Sequence, residues 1–184
     1  MAEQRAKLVS SKTVFKGTVF DVRRDEIIEP DGLRTTREVV THPGSVVVMP
    51  VFPNGDVLLV RQFRYAAGEY LWELVAGSKK PNESARAGAR RELLEESGYR
   101  ARRMRLLIEV IPTPGFLTET MAIFAAEGLK AGPAQPEADE HIVARRFSPK
   151  ELLAMIRRGS LRDMKTIVGI LYYLRFVAPP RESR

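Results

Sequence analysis

Three carboxylates carry the first chemical signal. Glu92, Glu95 and Glu96 fall at i, i+3, i+4 spacing and so share one face of a helix. Like charges this close repel one another unless a cation sits among them, and clustered carboxylate oxygens suit a hard divalent ion such as Mg2+ or Mn2+. Gly77, Glu83, Arg91 and Gly98 surround them at fixed intervals within GSKKPNESARAGARRELLEESGY, residues 77–99. Gly98 has an ordinary reading as a left-handed helix C-cap. A Glu/Arg-rich helix is most often a solvated face laced with ion pairs. The full spacing, opened and closed by glycine, outweighs that reading.

The stretch resembles the signature of the Nudix hydrolases, G-x5-E-x7-R-E-U-x-E-E-x-G-U, where U is a bulky apolar residue. Seven fixed positions match, a coincidence expected on the order of once in a million at about 7% usage per residue. Leu93 fills the first U position and Tyr99 the last. The resemblance implies that Glu92, Glu95 and Glu96 hold metal together with the backbone carbonyl of Ala76. It makes Gly77, Glu83, Arg91 and Gly98 structural, with Arg91 orienting a neighbouring glutamate, as metal sites require of the residues around their ligands. The implied cofactor is two to three Mg2+ ions, with Mn2+ as the substitute.

Composition bounds the rest. A chain of 184 residues supports one domain with a sizeable core. It is 44% hydrophobic and 29% charged, an ordinary balance for a globular protein. No apolar run is long enough to span a membrane, and MAEQRAKLVSSKTVFKG lacks the apolar core of a secretory signal. Zero cysteines exclude disulfides, thiol catalysis and thiolate zinc sites, and fit a cytoplasmic location. His42 and His141 are too few and too far apart for a histidine-based metal site. A net charge of +7 raises the question of nucleic acid. The basic residues are scattered without interleaved aromatics, and the charge is compatible both with a small anionic diphosphate and with nucleic acid, the latter the less expected partner.

Elements must then position the acids. Residues 13–29 alternate like a strand, Pro30-Asp31-Gly32 turns, and a return strand runs over 35–42, which predicts a hairpin arm. Strands follow over 45–52, 57–63 and 70–75, and a helix over 84–97. Further strands are expected over 107–111, 120–126 and 141–147, with a long exposed loop over 128–139. Ser148-Pro149-Lys150-Glu151 starts a helix with a capping box, and a last helix covers 163–177. The expected class is α/β: an α/β/α Nudix sandwich with a mixed β-sheet over 45–178, preceded by a β-hairpin arm over 1–44 and followed by a frayed tail over 179–184.

The flanks resemble the ADP-ribose pyrophosphatase branch. Arg61-Gln62-Phe63-Arg64 is similar to its R-Q-Y/F-R strand, and Thr113-Pro114-Gly115-Phe116 to its proline-glycine loop. The segment Leu161-Arg162-Asp163-Met164-Lys165-Thr166 is similar to its C-terminal helix. Val75 departs from the usual proline, and Ser78-Lys79-Lys80 from a common apolar–acidic pair. The resemblance implies that Arg64 meets the diphosphate or terminal ribose, that Gly115 lies at the substrate, and that Glu38 on the arm reads the adenine edge across a homodimer. Arg37 and Phe20 are candidates to stack on the base, with Phe20 more simply a core residue of the strand face. Glu140, ahead of His141-Ile142, is the expected general base, chosen over Glu137 and Asp139, so the catalytic set is Glu140, Glu95 and Glu96. Its replacement by Gln should lower kcat about 10²- to 10⁴-fold with metal binding intact. The expected reaction is Mg2+-dependent cleavage of ADP-ribose to AMP and ribose 5-phosphate. GDP-mannose or another nucleotide-sugar, RNA 5′ ends, or a non-catalytic sensor role are the alternatives, and the intact acid set argues against the last.

Overall fold

The computed structural model describes residues 4–134 and 142–178. The chain divides into two compact units, one holding the residues up to Gly44 with Ile111–Thr120, the other Ser45–Val110 with the residues from Met121 onward.

The smaller unit is an antiparallel three-stranded sheet, β1 (Lys7–Lys16), β2 (Asp21–Ile28) and β3 (Arg34–Thr41), in that order. The single strand read over 13–29 is two strands. Gly17 N–H donates to Phe20 O and to the Asp21 carboxylate, closing a tight turn inside a stretch whose alternation looks continuous. Phe20 sits in that turn, 43% exposed, rather than in a core. The Ile111–Thr120 loop joins this unit through Val40 N–H to Phe116 O and Thr118 N–H to Val40 O.

The larger unit is built on the four-stranded order β7-β4-β9-β8. β4 (Ser45–Pro50) runs parallel to β9 (Met121–Ala131); β7 (Val75–Ser78) and β8 (Tyr99–Val110) are antiparallel to their neighbours, so the sheet is mixed. All six residues of β4 are buried because both faces of the sheet are covered. Val46 and Val48 point to one side, with Ala122, Phe124 and Ala126, and meet Ala89 and Leu93 of α1 (Ala85–Ser97). Val47 and Met49 point to the other, with Ile123 and Ala125. There they meet Leu152 and Met155 of α2 (Pro149–Arg157) and Ile170 and Tyr173 of α3 (Met164–Phe176). Burying one Leu such as Leu93 contributes about 1.5–3 kcal/mol. A second sheet, β10-β5-β6, is made of Val143–Phe147, Val57–Arg64 and Glu69–Glu73, all antiparallel.

β8 and β9 exceed their expected lengths of 107–111 and 120–126. In β8 the buried residues Ala101, Met104 and Leu107 recur every third position, across a bulge between Leu106 and Ile108, and this hides the two-residue period of a strand. β9 continues to Ala131, taking in the start of the stretch read as an exposed loop. The predicted capping box of Ser148 and Glu151 opens α2, and Ser84, read as the first helical residue, instead caps α1 by accepting from Ala87 N–H. Gly98 closes α1 at φ 71°, a left-handed conformation that costs glycine little.

Candidate active site

Leu93 and Ala89 hold one stripe of α1 against the sheet, which turns the neighbouring stripe, with Glu92 and Glu96, toward the β7 loop. Both carboxylates are enclosed, at 8% and 5% exposure, which is rare for glutamate without a dedicated partner. The exposed side of α1 is pinned separately, by Arg86 to Met104 O and Arg90 to Ala101 O on β8. Those two arginines are structural anchors and leave the acid stripe to Arg91.

Arg91 stands among the acids. Its Nη1 donates to Glu92 Oε1 at 2.6 Å and to Glu95 Oε2 at 2.8 Å. Its Nε and Nη2 donate to the two oxygens of Glu83 at 2.9 and 3.0 Å, and Nη2 also to Ser78 O at 3.1 Å. The bidentate grip of Arg91 holds the Glu83 carboxyl at about 2, and Lys80 N–H adds a backbone hydrogen bond. The same Glu83 bonds, with those of Glu92 and Glu95, raise the Arg91 guanidinium above its ordinary value. Arg91 and Glu83 thus tie the loop carrying Ser78 and Lys80 to α1.

Gly77 leaves room where a side chain would stand. It pairs with Val46 in β7, and a Cβ at this position would collide with the Glu92 carboxylate. Ala76, beside it, pairs with Val47. The cradle at Gly77, the enclosed Glu92 and Glu96, and an all-oxygen donor set fit a hard divalent cation. No three acids or histidines among the described residues converge as a finished cage, and Arg91 bonds both oxygens of Glu83 and one each of Glu92 and Glu95.

Arg64, at the end of β5, belongs to the same unit, and the charge of Glu96 reaches it. Its Nε and Nη2 are tied to Glu73 at 2.7 and 2.8 Å. Glu38, Arg37 and Gly115 belong to the smaller unit. There Glu38 accepts from Arg24 Nη2 at 2.8 Å, and Arg37 donates to Glu29 at 2.5 Å and to Thr36 O. Gly115 has open space around it, with nothing within 4 Å of where a Cβ would stand. Glu140, with Glu137 and Asp139, lies outside the described residues. Sequence reasoning missed Glu73. Its signal was faint: it is one of two acids in the strand EYLWE, and its partner in register is Val60 rather than Arg64.

Residues 41–166 match the NUDIX domain family, and residues 7–40 match the nucleoside diphosphate sugar hydrolase N-terminal domain. The chain is 34% identical to an ADP-ribose pyrophosphatase of Mycobacterium tuberculosis, over 93% of this chain and 84% of that one. It is 31% identical to a methanol dehydrogenase activator of Bacillus methanolicus, over 90% and 91%, and 34% identical to a GDP-mannose pyrophosphatase of Yersinia enterocolitica, over 80% and 83%. A solved structure described as an ADP compounds hydrolase shares the fold at a TM-score of 0.85 and 19% identity, over 96% of each chain. The chain belongs to the Nudix family of hydrolases. Within that family it is of the ADP-ribose and nucleotide-sugar pyrophosphatase type.

Proposed function

We propose that this protein cleaves the diphosphate of ADP-ribose, giving AMP and ribose 5-phosphate, with Mg2+ as its cofactor and Mn2+ as the substitute. The observation that carries the reaction type is the acid stripe of α1, enclosed beside the Gly77 cradle. Glu92, Glu95 and Glu96, with the carbonyl of Ala76, would hold two to three ions. When bound, such ions neutralise diphosphate oxygens and lower the pKa of an attacking water. The chain's own part is orientation. Arg91 holds Glu92 and Glu95 in one arrangement, and Arg64 offers a fixed cation to the diphosphate. Glu140 takes the proton of the attacking water, and Glu38, Arg37 and Gly115 contact the nucleoside and the substrate's remaining groups.

The preference for ADP-ribose rests on the Arg61–Arg64 strand, the Thr113–Phe116 loop and the named relatives; the GDP-mannose relative keeps that substrate as the second reading. We also propose a homodimer built through the arm, residues 1–44, alongside a catalytic region over 45–178. Every residue of β1 is exposed, including Leu8, Val14 and Phe15, and a three-stranded sheet left this open gains by pairing with a second copy. No helix among the described residues is long and apolar enough to cross a membrane, and the location proposed is the cytoplasm.

Turnover across a panel tests the reading: ADP-ribose, GDP-mannose, NADH, diadenosine polyphosphates, 8-oxo-dGTP and 5′-triphosphate RNA, with Mg2+ and with Mn2+, and Glu96→Gln as the blank. Dominant cleavage of ADP-ribose is expected. Dominance of another member keeps the reaction type and replaces the substrate. Sedimentation of the same preparation tests the dimer.

A further inference from the structure

Glu73 is 1% exposed, and two cations face its one carboxylate. Arg64 meets it with two parallel bonds, Nε to Oε1 at 2.7 Å and Nη2 to Oε2 at 2.8 Å. Lys165 Nζ donates to Oε2 at 2.5 Å and to Asp163 Oδ1 at 2.8 Å. Asp163 is also the N-cap of α3, where Oδ2 accepts from Thr166 N–H at 3.0 Å and from its hydroxyl at 2.5 Å. The fully buried Thr166 Oγ1 accepts from Leu74 N–H at 2.7 Å. One chain of bonds thus joins the ends of β5 and β6 to the start of α3.

Burial pushes the Glu73 carboxyl up, but the Arg64 and Lys165 bonds outweigh it and leave it below its ordinary value. A buried ion cluster of this kind is weak evidence for stability, since apolar side chains of similar volume often do as well. What a fork-to-fork guanidinium–carboxylate pair adds is direction. Two of the five N–H donors of Arg64 are committed to Glu73. The side chain remains 40% exposed and lies within the field of Glu96 on the acid stripe.

We propose that Glu73 is a positioning residue: it fixes the plane of the Arg64 guanidinium so that its remaining N–H groups meet the anionic diphosphate of the substrate at the acid stripe, with Lys165 and Asp163 holding Glu73 in place. The inference rests on the reading of Arg64 as a substrate contact.

A double-mutant cycle of Glu73→Gln and Arg64→Ala tests it, run with the panel member that the wild type turns over fastest. A failure of ADP-ribose as substrate then changes the compound used and leaves the cycle intact. Glu73→Gln is expected to raise KM roughly 10-fold, within the range that misplacing a contact by about 1 Å produces, with kcat within about threefold. In the Arg64→Ala background the same change should alter kcat/KM less than about twofold, because its route of action is gone. Effects that multiply, or an unchanged KM in a folded Glu73→Gln protein, overturn the proposal. Melting is followed for every variant. If Glu73→Gln does not fold, Glu73→Asp takes its place in the cycle, keeping the charge but withdrawing the carboxylate by one methylene.

Discussion

Arg91 stands among glutamates, whereas Glu73 stands between cations, and the contrast separates two uses of buried charge in one unit. Around Arg91, the carboxylates of Glu83, Glu92 and Glu95 share a single guanidinium, with Glu96 enclosed on the same helix stripe. Around Glu73, two acids and two cations balance, with Asp163 answering Lys165. The first cluster is the one we propose receives a cation from outside. The balanced one is a lock, joining two strands to a helix while leaving Arg64 its remaining N–H groups.

The contrast breaks most readily at Glu96. Glu96→Gln removes charge from the stripe without disturbing any Arg91 contact described above, and should lower kcat roughly 10³-fold, equivalent to about 4 kcal/mol of transition-state stabilisation. The melting temperature should hold or rise, because like-charge repulsion is relieved. Steady-state kinetics and thermal unfolding on one preparation decide it. Near-normal turnover would mean the stripe is a structural cluster only.

Gly77→Ala is the next largest. The added methyl meets the end of a flexible side chain rather than backbone, so the fold can absorb it by moving Glu92. Activity should fall roughly 10²-fold, the scale of a misplaced ligand, while melting shifts by no more than a few degrees. A large loss of stability with proportionate activity would assign Gly77 to the fold alone.

The acid stripe was legible in the sequence because its logic is local. Spacings of three and four residues fix which side chains share a helix face, and caps such as Gly98 and Ser148 act within one turn. Glu73 was not legible, because Lys165 lies 92 positions along the chain and nothing in either neighbourhood names the other. For the same reason the hold of Glu73 on Arg64 Nε and Nη2 did not show in the sequence. The joining of Phe116 to Val40 is also long-range, and so is the pairing of β8 with β9 across the bulge at Leu106 and Ile108. The break between β1 and β2 failed for a different reason: a side-chain bond from Asp21 to Gly17 N–H makes a turn that hydrophobic alternation does not register.

Arg91→Lys sharpens the comparison at its centre. An ammonium keeps the charge but loses the planar fork, and it cannot bond Glu83 bidentately while reaching Glu92 and Glu95. A cost of about 2 kcal/mol is expected, seen as a fall of roughly 4–8 °C in melting temperature for a chain of this size. Turnover should fall roughly tenfold as the glutamates lose their orientation. Unchanged melting would mean that charge alone, without geometry, holds the cluster.

The smallest effect concerns pH and isolates the outer edge of the same cluster. The Glu83 carboxyl lies at about 2 in the folded protein against an ordinary 4.5, because Arg91 grips its ionised form. A depressed folded value means that the ionised group stabilises the fold above its unfolded pKa. That contribution is lost as pH falls from about 4.5 through about 2. Glu83→Gln should therefore be less stable than the wild type at pH 7, by about 1 kcal/mol, since Arg91 keeps Glu92 and Glu95. The gap should narrow as the wild type takes up its proton. Urea unfolding midpoints of both proteins at pH 7, 5, 4 and 3 measure that convergence. A gap constant across the series would show that Glu83 acts by shape alone and that Arg91 draws its hold from Glu92 and Glu95.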